Sequence, residues 1–260
     1  MNKDKAIEYR QWASSSPRAV LLLVHGLGAH AGRWEAMAEF FVKNRISSYA
    51  IESGDPARAG YFRNYQGHIL ALSAIAAKDN PGKNIFLVGE SMGALLSFLF
   101  VSGHPELFKG LICLSPAFSN KCRLSAADNL KALAALFYNP KKKFMMPFDF
   151  SMCTRDTEYS NALNSDPGEY RAISAGSIPT ILLFQIRAGF AAKKIATSSL
   201  FLIAGEDKLV ESRATANIFK RLVISDKALV EFPGMYHSLS IELGKEKVFE
   251  EIRKWVEKRM

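Results

Sequence analysis

The sequence predicts an α/β fold: a doubly wound, mostly parallel sheet with helices on both faces and one helical insertion. Three observations carry that expectation. Short, almost uninterrupted apolar runs recur along the chain, as in strands buried on both faces. Amphipathic segments lie between them, and strand alternating with helix implies right-handed crossovers. Residues 117–177 alone break this rhythm.

The strands are expected at Ala19–Val24, Ser47–Ile51, Asn84–Val88, Gly110–Leu114 and Ser199–Ile203, with a weaker sixth at Ala228–Phe232. Trp34–Asn44 reads as a helix because Trp34, Met37, Ala38, Phe41 and Val42 fall on one stripe. Ser91–Ser102, Arg213–Leu222 and Lys245–Arg259 have comparable spacing. From Ala117 to Ser177 no convincing buried strand is legible, while Pro140, Pro147 and Pro167 and many aromatics accumulate. This stretch reads as a helical insertion into a core of residues 1–116 and 178–260. It forms either a lid over the strand ends, where open α/β sheets bind ligands, or a second small packed layer.

Composition narrows the class. A chain of 260 residues with 48% hydrophobic and 23% charged residues is ordinary for a globular protein and excludes disorder. A chain this long buries roughly three quarters of its unfolded surface without staples. Cys113, Cys122 and Cys153 are too few for a disulfide framework, and no CxxC pair suggests zinc. The Met-Asn-Lys-Asp-Lys start lacks a signal-peptide pattern, and no apolar run approaches a membrane span, so a cytoplasmic protein is expected. The net charge of +9 raises nucleic acid or an anionic surface as partners. The basic residues are dispersed, with one run at Lys141–Lys143, and no nucleic-acid partner is expected.

The sharpest chemical signal is Gly89-Glu-Ser-Met-Gly93, after one expected strand and before one expected helix. A nucleophile on a strand-to-helix turn is strained and needs small residues two positions to either side. The helix N-terminus then favours a developing anion. Serine needs a base, and the base needs an orienting acid. Five histidines are available. His237, in a loop after the last expected strand, is the leading base, with His25, His30, His68 and His104 as alternatives. His104 reads as a helix C-cap, and His68 as structural. Asp207, directly after the strand Ser199–Ile203, is the acid, and Glu206 its rival. The order Ser91, Asp207, His237 is that of α/β-hydrolases. The remaining element is His25-Gly-Leu-Gly28 after the first expected strand. Its Leu27 amide, with that of Met92, is the expected oxyanion-hole pair. His25 then braces the loop.

These segments together resemble the serine α/β-hydrolases of the monoacylglycerol lipase and lysophospholipase-like group. The resemblance rests on His25-Gly-Leu-Gly-Ala-His30 with Gly32-Arg-Trp34, Gly89–Gly93, His104-Pro-Glu-Leu-Phe108, Leu114-Ser-Pro116, Asp207-Lys-Leu-Val210 and Pro233-Gly-Met-Tyr-His237. It implies Ser91 as nucleophile, His237 as base, Asp207 as orienting acid, and Leu27 and Met92 at the oxyanion. It also implies a cap supplying an apolar acyl channel, an acyl-ester substrate, and no metal or organic cofactor. The expected activity is hydrolysis of lipid-like esters such as monoacylglycerol or lysophospholipid. Acyl transfer, thioester or amide cleavage on the same atoms, and a noncatalytic ligand binder, are the alternatives. The chain departs from the group where Glu52-Ser-Gly-Asp-Pro-Ala-Arg58 replaces its D-x-R-G-x-G-x-S loop, and where Gly205 stands two rather than three residues before the acid. Between Phe118 and Arg155, seven basic residues (Lys121, Arg123, Lys131, Lys141, Lys142, Lys143 and Arg155) face two acidic ones. With the interleaved aromatics, this makes peripheral contact of the cap with an anionic membrane or micelle a further expectation.

Overall fold

The computed structural model describes residues 7–58, 61–122 and 124–260, so Arg123 of the basic stretch lies outside the described residues. The strands are β1 (Tyr9–Trp12), β2 (Ala19–Val24), β3 (Ile46–Ile51), β4 (Asn84–Glu90), β5 (Gly110–Leu114), β6 (Lys143–Met145), β7 (Ala172–Ser174), β8 (Ser198–Ala204) and β9 (Lys227–Phe232). The helices are α1 (Glu35–Lys43), α2 (Tyr61–Asp79), α3 (Met92–Val101), α4 (Ala126–Tyr138), α5 (Thr157–Ser165), α6 (Ser177–Ala191), α7 (Ser212–Arg221) and α8 (Lys245–Glu257). A seven-stranded sheet runs in the order β1-β3-β2-β4-β5-β8-β9. Only β1 is antiparallel to its neighbour, pairing Tyr9 with Ile51 and Trp12 with Ser48. The other pairs are parallel, as β2–β4 (Val20 with Ile85) and β8–β9 (Leu200 with Ala228) illustrate.

The apolar runs form central strands because both of their faces are covered. Val20, Leu22, Leu87, Leu111 and Phe201 point into a core closed by Ile69 and Leu72 of α2, Leu95 and Phe98 of α3, Ala188 of α6 and Ile218 of α7. The alternate residues Leu21, Leu23, Phe86, Val88, Ile112 and Leu200 meet Met37 and Phe41 of α1 and Val248, Phe249 and Ile252 of α8. Period-two alternation thus feeds two apolar layers, which is the doubly wound arrangement.

Between β5 and β8 the chain forms α4, α5 and α6 together with a small antiparallel ladder, in which β6 and β7 pair Phe144 with Ile173. Among the described residues no helix is long and apolar enough to cross a membrane. The loops after β2, β4, β8 and β9 all leave the C-terminal ends of parallel strands, so the fold gathers them on one edge of the sheet.

Candidate active site

Ser91 follows β4 and opens α3 with φ 54° and ψ −119°, a strained combination for a residue with a side chain. The flanking glycines explain why the turn is possible. A Cβ on Gly89 would lie 2.6 Å from the Ala94 backbone, and one on Gly93 would lie 2.1 Å from the Val24 carbonyl oxygen. The Ser91 amide donates to the Leu114 carbonyl at 2.9 Å, which ties the turn to the end of β5.

His237 reaches this turn from the loop after β9. Its Nε2 lies 2.8 Å from Ser91 Oγ, and its Nδ1 lies 2.8 Å from Asp207 Oδ2. Asp207 Oδ1 accepts the Leu209 and Val210 amides at 2.8 and 2.9 Å. With its carboxylate accepting throughout, Asp207 takes the proton-bearing Nδ1 and leaves Nε2 as the acceptor for the Ser91 hydroxyl. Burial works to raise the Asp207 carboxyl, but the facing imidazole and the two amides outweigh it and hold it below the usual range. Burial likewise works to lower His237, and the Asp207 carboxylate overcomes it, so the imidazole sits above its ordinary value.

The structure thus brings Ser91, His237 and Asp207 into one hydrogen-bonded line. The lesser candidates stand outside it: His30 meets Asp166 Oδ2 at 3.1 Å and accepts from the Gly32 amide, and His68 lies within α2. Glu206 is exposed and uses its amide on the Met235 carbonyl. The α3 C-cap residue is Ser102, but the His104 amide donates to the Phe100 and Val101 carbonyls at 3.1 and 3.2 Å and its ring stacks on Phe100 at 4.6 Å, so His104 closes the end of α3 as expected, two residues past the cap.

The loop after β2 approaches the Ser91 hydroxyl closely. A Cβ on Gly26 would lie 3.4 Å from Ser91 Cβ and 3.9 Å from its Oγ. Leu27 and Met92 both line the cavity above Ser91. His25 is buried beneath the loop, its Nδ1 2.8 Å from the Gly26 carbonyl oxygen and its Nε2 2.9 Å from Ser53 Oγ. Ser53 also meets Tyr61 Oη at 3.1 Å. The Tyr65 hydroxyl donates to the His25 carbonyl at 3.2 Å. Burial lowers the His25 imidazole to about 4, so the ring is neutral and braces the loop as a fixed tautomer.

Two further contacts around the site escape sequence reasoning. Arg33 donates from Nε and Nη2 to the two carboxylate oxygens of Glu169, each at 2.6 Å. The Tyr170 amide donates to the Gly28 carbonyl at 2.8 Å, and a Cβ on Gly28 (φ +78°) would lie 2.0 Å from the Tyr170 oxygen. The β2 loop is therefore clasped by the segment before β7. The only linear hint was the position of Arg33 beside the His25–His30 motif.

Above Ser91 lies a cavity of about 730 Å³. Phe118, Leu124, Ile173, Ile181 and Leu182 are among its apolar walls, while Arg33, Glu90 and Ser238 add polar groups.

Residues 15–244 match the family model described as serine aminopeptidase, S33, a family of hydrolases. The chain belongs to this family. It is a serine hydrolase with the α/β-hydrolase fold. Human monoglyceride lipase is 29% identical over 96% of this chain and 86% of its own length. Phospholipase YtpA of Bacillus subtilis is 27% identical over 93% of this chain and 96% of its own. Among solved structures, the monoacylglycerol lipase of Paleococcus ferrophilus aligns with a TM-score of 0.87 at 20% identity, covering 98% of this chain and all of that one. A soluble variant of the Saccharomyces cerevisiae monoglyceride lipase, in complex with a substrate analogue, has the same TM-score at 18% identity, covering all of this chain and 94% of that one.

Proposed function

We propose that this hydrolase cleaves lipid-like carboxylic esters, of the monoacylglycerol or lysophospholipid kind, through an acyl-enzyme on Ser91. The observation that carries the reading is the Ser91–His237–Asp207 line at the floor of a largely apolar cavity of about 730 Å³. An acyl chain suits the apolar walls, and the polar groups around Arg33 and Ser238 suit an alcohol head. The names of the human and bacterial relatives support the same substrate class.

In this mechanism His237 Nε2 takes the Ser91 proton as Oγ attacks the acyl carbonyl. The Leu27 and Met92 amides, one on the β2 loop and one at the N-terminus of α3, receive the oxyanion. The imidazolium then protonates the departing alcohol. Water, deprotonated by His237, releases the acid and restores Ser91. Asp207 holds the imidazole tautomer throughout. Residues 117–177 act as the cap, since Phe118, Leu124, Asn129 and Ile173 line the cavity from that segment.

The exposed apolar side chains beside the cavity support entry of substrate from a lipid surface. Leu182 and Ile186 of α6 line the cavity and are also exposed. Replacing Ser91 with Ala is expected to abolish labelling by a fluorophosphonate and to lower ester turnover by several orders of magnitude. A variant with wild-type turnover overturns the assignment. The wild-type enzyme is expected to prefer monoacylglycerol and lysophospholipid over acyl-CoA and aminoacyl amides. A preference for aminoacyl amides replaces the ester reading with peptidase chemistry.

A further inference from the structure

Glu90 stands between Gly89 and Ser91, and none of the steps above uses it. It is only 4% exposed. Both of its carboxylate oxygens accept from a single residue: the Ser240 amide donates to Oε1 at 2.9 Å and the Ser240 hydroxyl to Oε2 at 2.8 Å. Ser240 belongs to the loop that carries His237. The same loop is fixed from the other side, where the Ser238 amide donates to the Cys153 carbonyl at 2.8 Å. A buried carboxylate is costly unless hydrogen-bonded and opposed by positive charge.

We propose that Glu90 is a positioning residue, which staples the His237 loop to the Ser91 turn and adds a second buried negative charge beside the imidazolium formed during catalysis. The inference rests on the reading of His237 as the base.

The groups facing both residues make the charge effect specific. Asp207 opposes His237 from the loop after β8, Glu90 adds to it from β4, and Arg33, from the segment after β2, works against both. Cys153 and Tyr159 of the insertion also feel the Glu90 charge but stay neutral, the thiol pushed up to about 12 by burial and the phenol raised by the same cause. Burial dominates at Glu90 and leaves its carboxyl above the usual range, although the Ser240 hydrogen bonds, and then His237 and Arg33, oppose that rise.

Two variants separate the staple from the charge. Glu90→Gln keeps an acceptor for the Ser240 amide and removes the charge. Its acid limb of kcat/KM is expected to move to lower pH. One pH unit below the wild-type midpoint, its activity relative to its own plateau should exceed the wild-type fraction by roughly twofold or more. Ser240→Ala keeps every buried charge and loosens the staple, so kcat is expected to fall roughly tenfold with the acid limb unmoved. An unmoved limb in a folded Glu90→Gln protein overturns the charge role, and wild-type kcat in Ser240→Ala overturns the staple. Should Glu90→Gln not fold, Glu90→Asp, which keeps the charge and shortens the staple, is expected to lower kcat with the acid limb unmoved, and a limb moved to lower pH with kcat unchanged overturns the division into staple and charge. Failure of the underlying reading shows elsewhere, as Ser91→Ala protein that still reacts with a fluorophosphonate.

Discussion

Asp207 has three hydrogen-bond donors converging on one carboxylate: His237 Nδ1–H and the Leu209 and Val210 amides. Replacing it with Asn preserves the shape but offers an N–H where an acceptor is needed. The imidazole then turns its lone pair the wrong way for Ser91. A loss of about 10⁴ in kcat with an unchanged circular-dichroism spectrum is expected. His25 supports a different prediction, of stability rather than rate. Its folded-state value of about 4 lies below the ordinary 6.5, so between those limits the unfolded chain binds a proton that the native site refuses. Stability therefore falls as pH drops through this window, by about 3 kcal/mol in total. Denaturant titrations at pH 7 and pH 4 measure it. His25→Gln, which has no imidazole to protonate, is expected to flatten that part of the pH dependence.

At the scale of elements, the Arg33–Glu169 pair joins the turn between β2 and α1 to the segment before β7 across 136 residues of sequence. The Glu169 side chain is 1% exposed and that of Arg33 10%, so neither charge has water to fall back on. Glu169→Gln is expected to destabilise the protein by about 3–5 kcal/mol in equilibrium unfolding. The double change Arg33→Met with Glu169→Leu should recover most of that, because it removes both charges together. A single variant as stable as the wild type would mean that the pair is solvated. Such contacts explain what could be read in advance. The central strands were legible because burial on both faces leaves a continuous apolar signature, and β2, β4, β5 and β8 lie within a residue or two of expectation. The edge strand β1 was not, since Tyr9-Arg-Gln-Trp12 is mostly exposed and has no face to pattern. The ladder of β6 and β7 has three residues per strand, too short for any period to show. The hydrogen-bonded line at Ser91 was legible because each member follows a strand. The Glu90–Ser240 and Arg33–Glu169 contacts were not, because nothing local requires a partner 150 or 136 residues away.

Over the whole molecule, a net charge of +9 acts together with an uneven distribution of apolar surface. Helix α4 buries Ala132 and Ala135 and turns Leu130, Leu133 and Phe137 outward, Phe137 being 88% exposed. Helix α6 buries Ile181 and Ala188 and exposes Leu182, Leu183, Ile186 and Phe190. Scattered exposed apolar residues are normal, but two such faces flanking the cavity are what a surface-binding cap needs. The basic count overstates the charge free to help. Lys121 donates its ammonium to the Asp207 carbonyl at 2.6 Å, and Arg155 pairs with the buried Glu242 at 3.2 Å. Lys131 meets Asp128 at 3.3 Å and Lys143 meets Asp55 at 2.9 Å, which leaves, among the described residues of this stretch, exposed Lys141 and Lys142, joined by exposed Arg187 of α6 and Lys193 and Lys194 just after it. Each contributes roughly 1 kcal/mol near an anionic surface and less as salt rises. The protein is therefore expected to co-sediment with anionic vesicles at low ionic strength, and to be released progressively as salt is added. Phe137→Asp and Phe190→Asp should each weaken that binding while leaving hydrolysis of a soluble short-chain ester unchanged, because neither side chain lines the cavity. Equal binding to neutral and anionic vesicles would remove the electrostatic part of this argument. Binding that survives both aspartate substitutions would remove the apolar part.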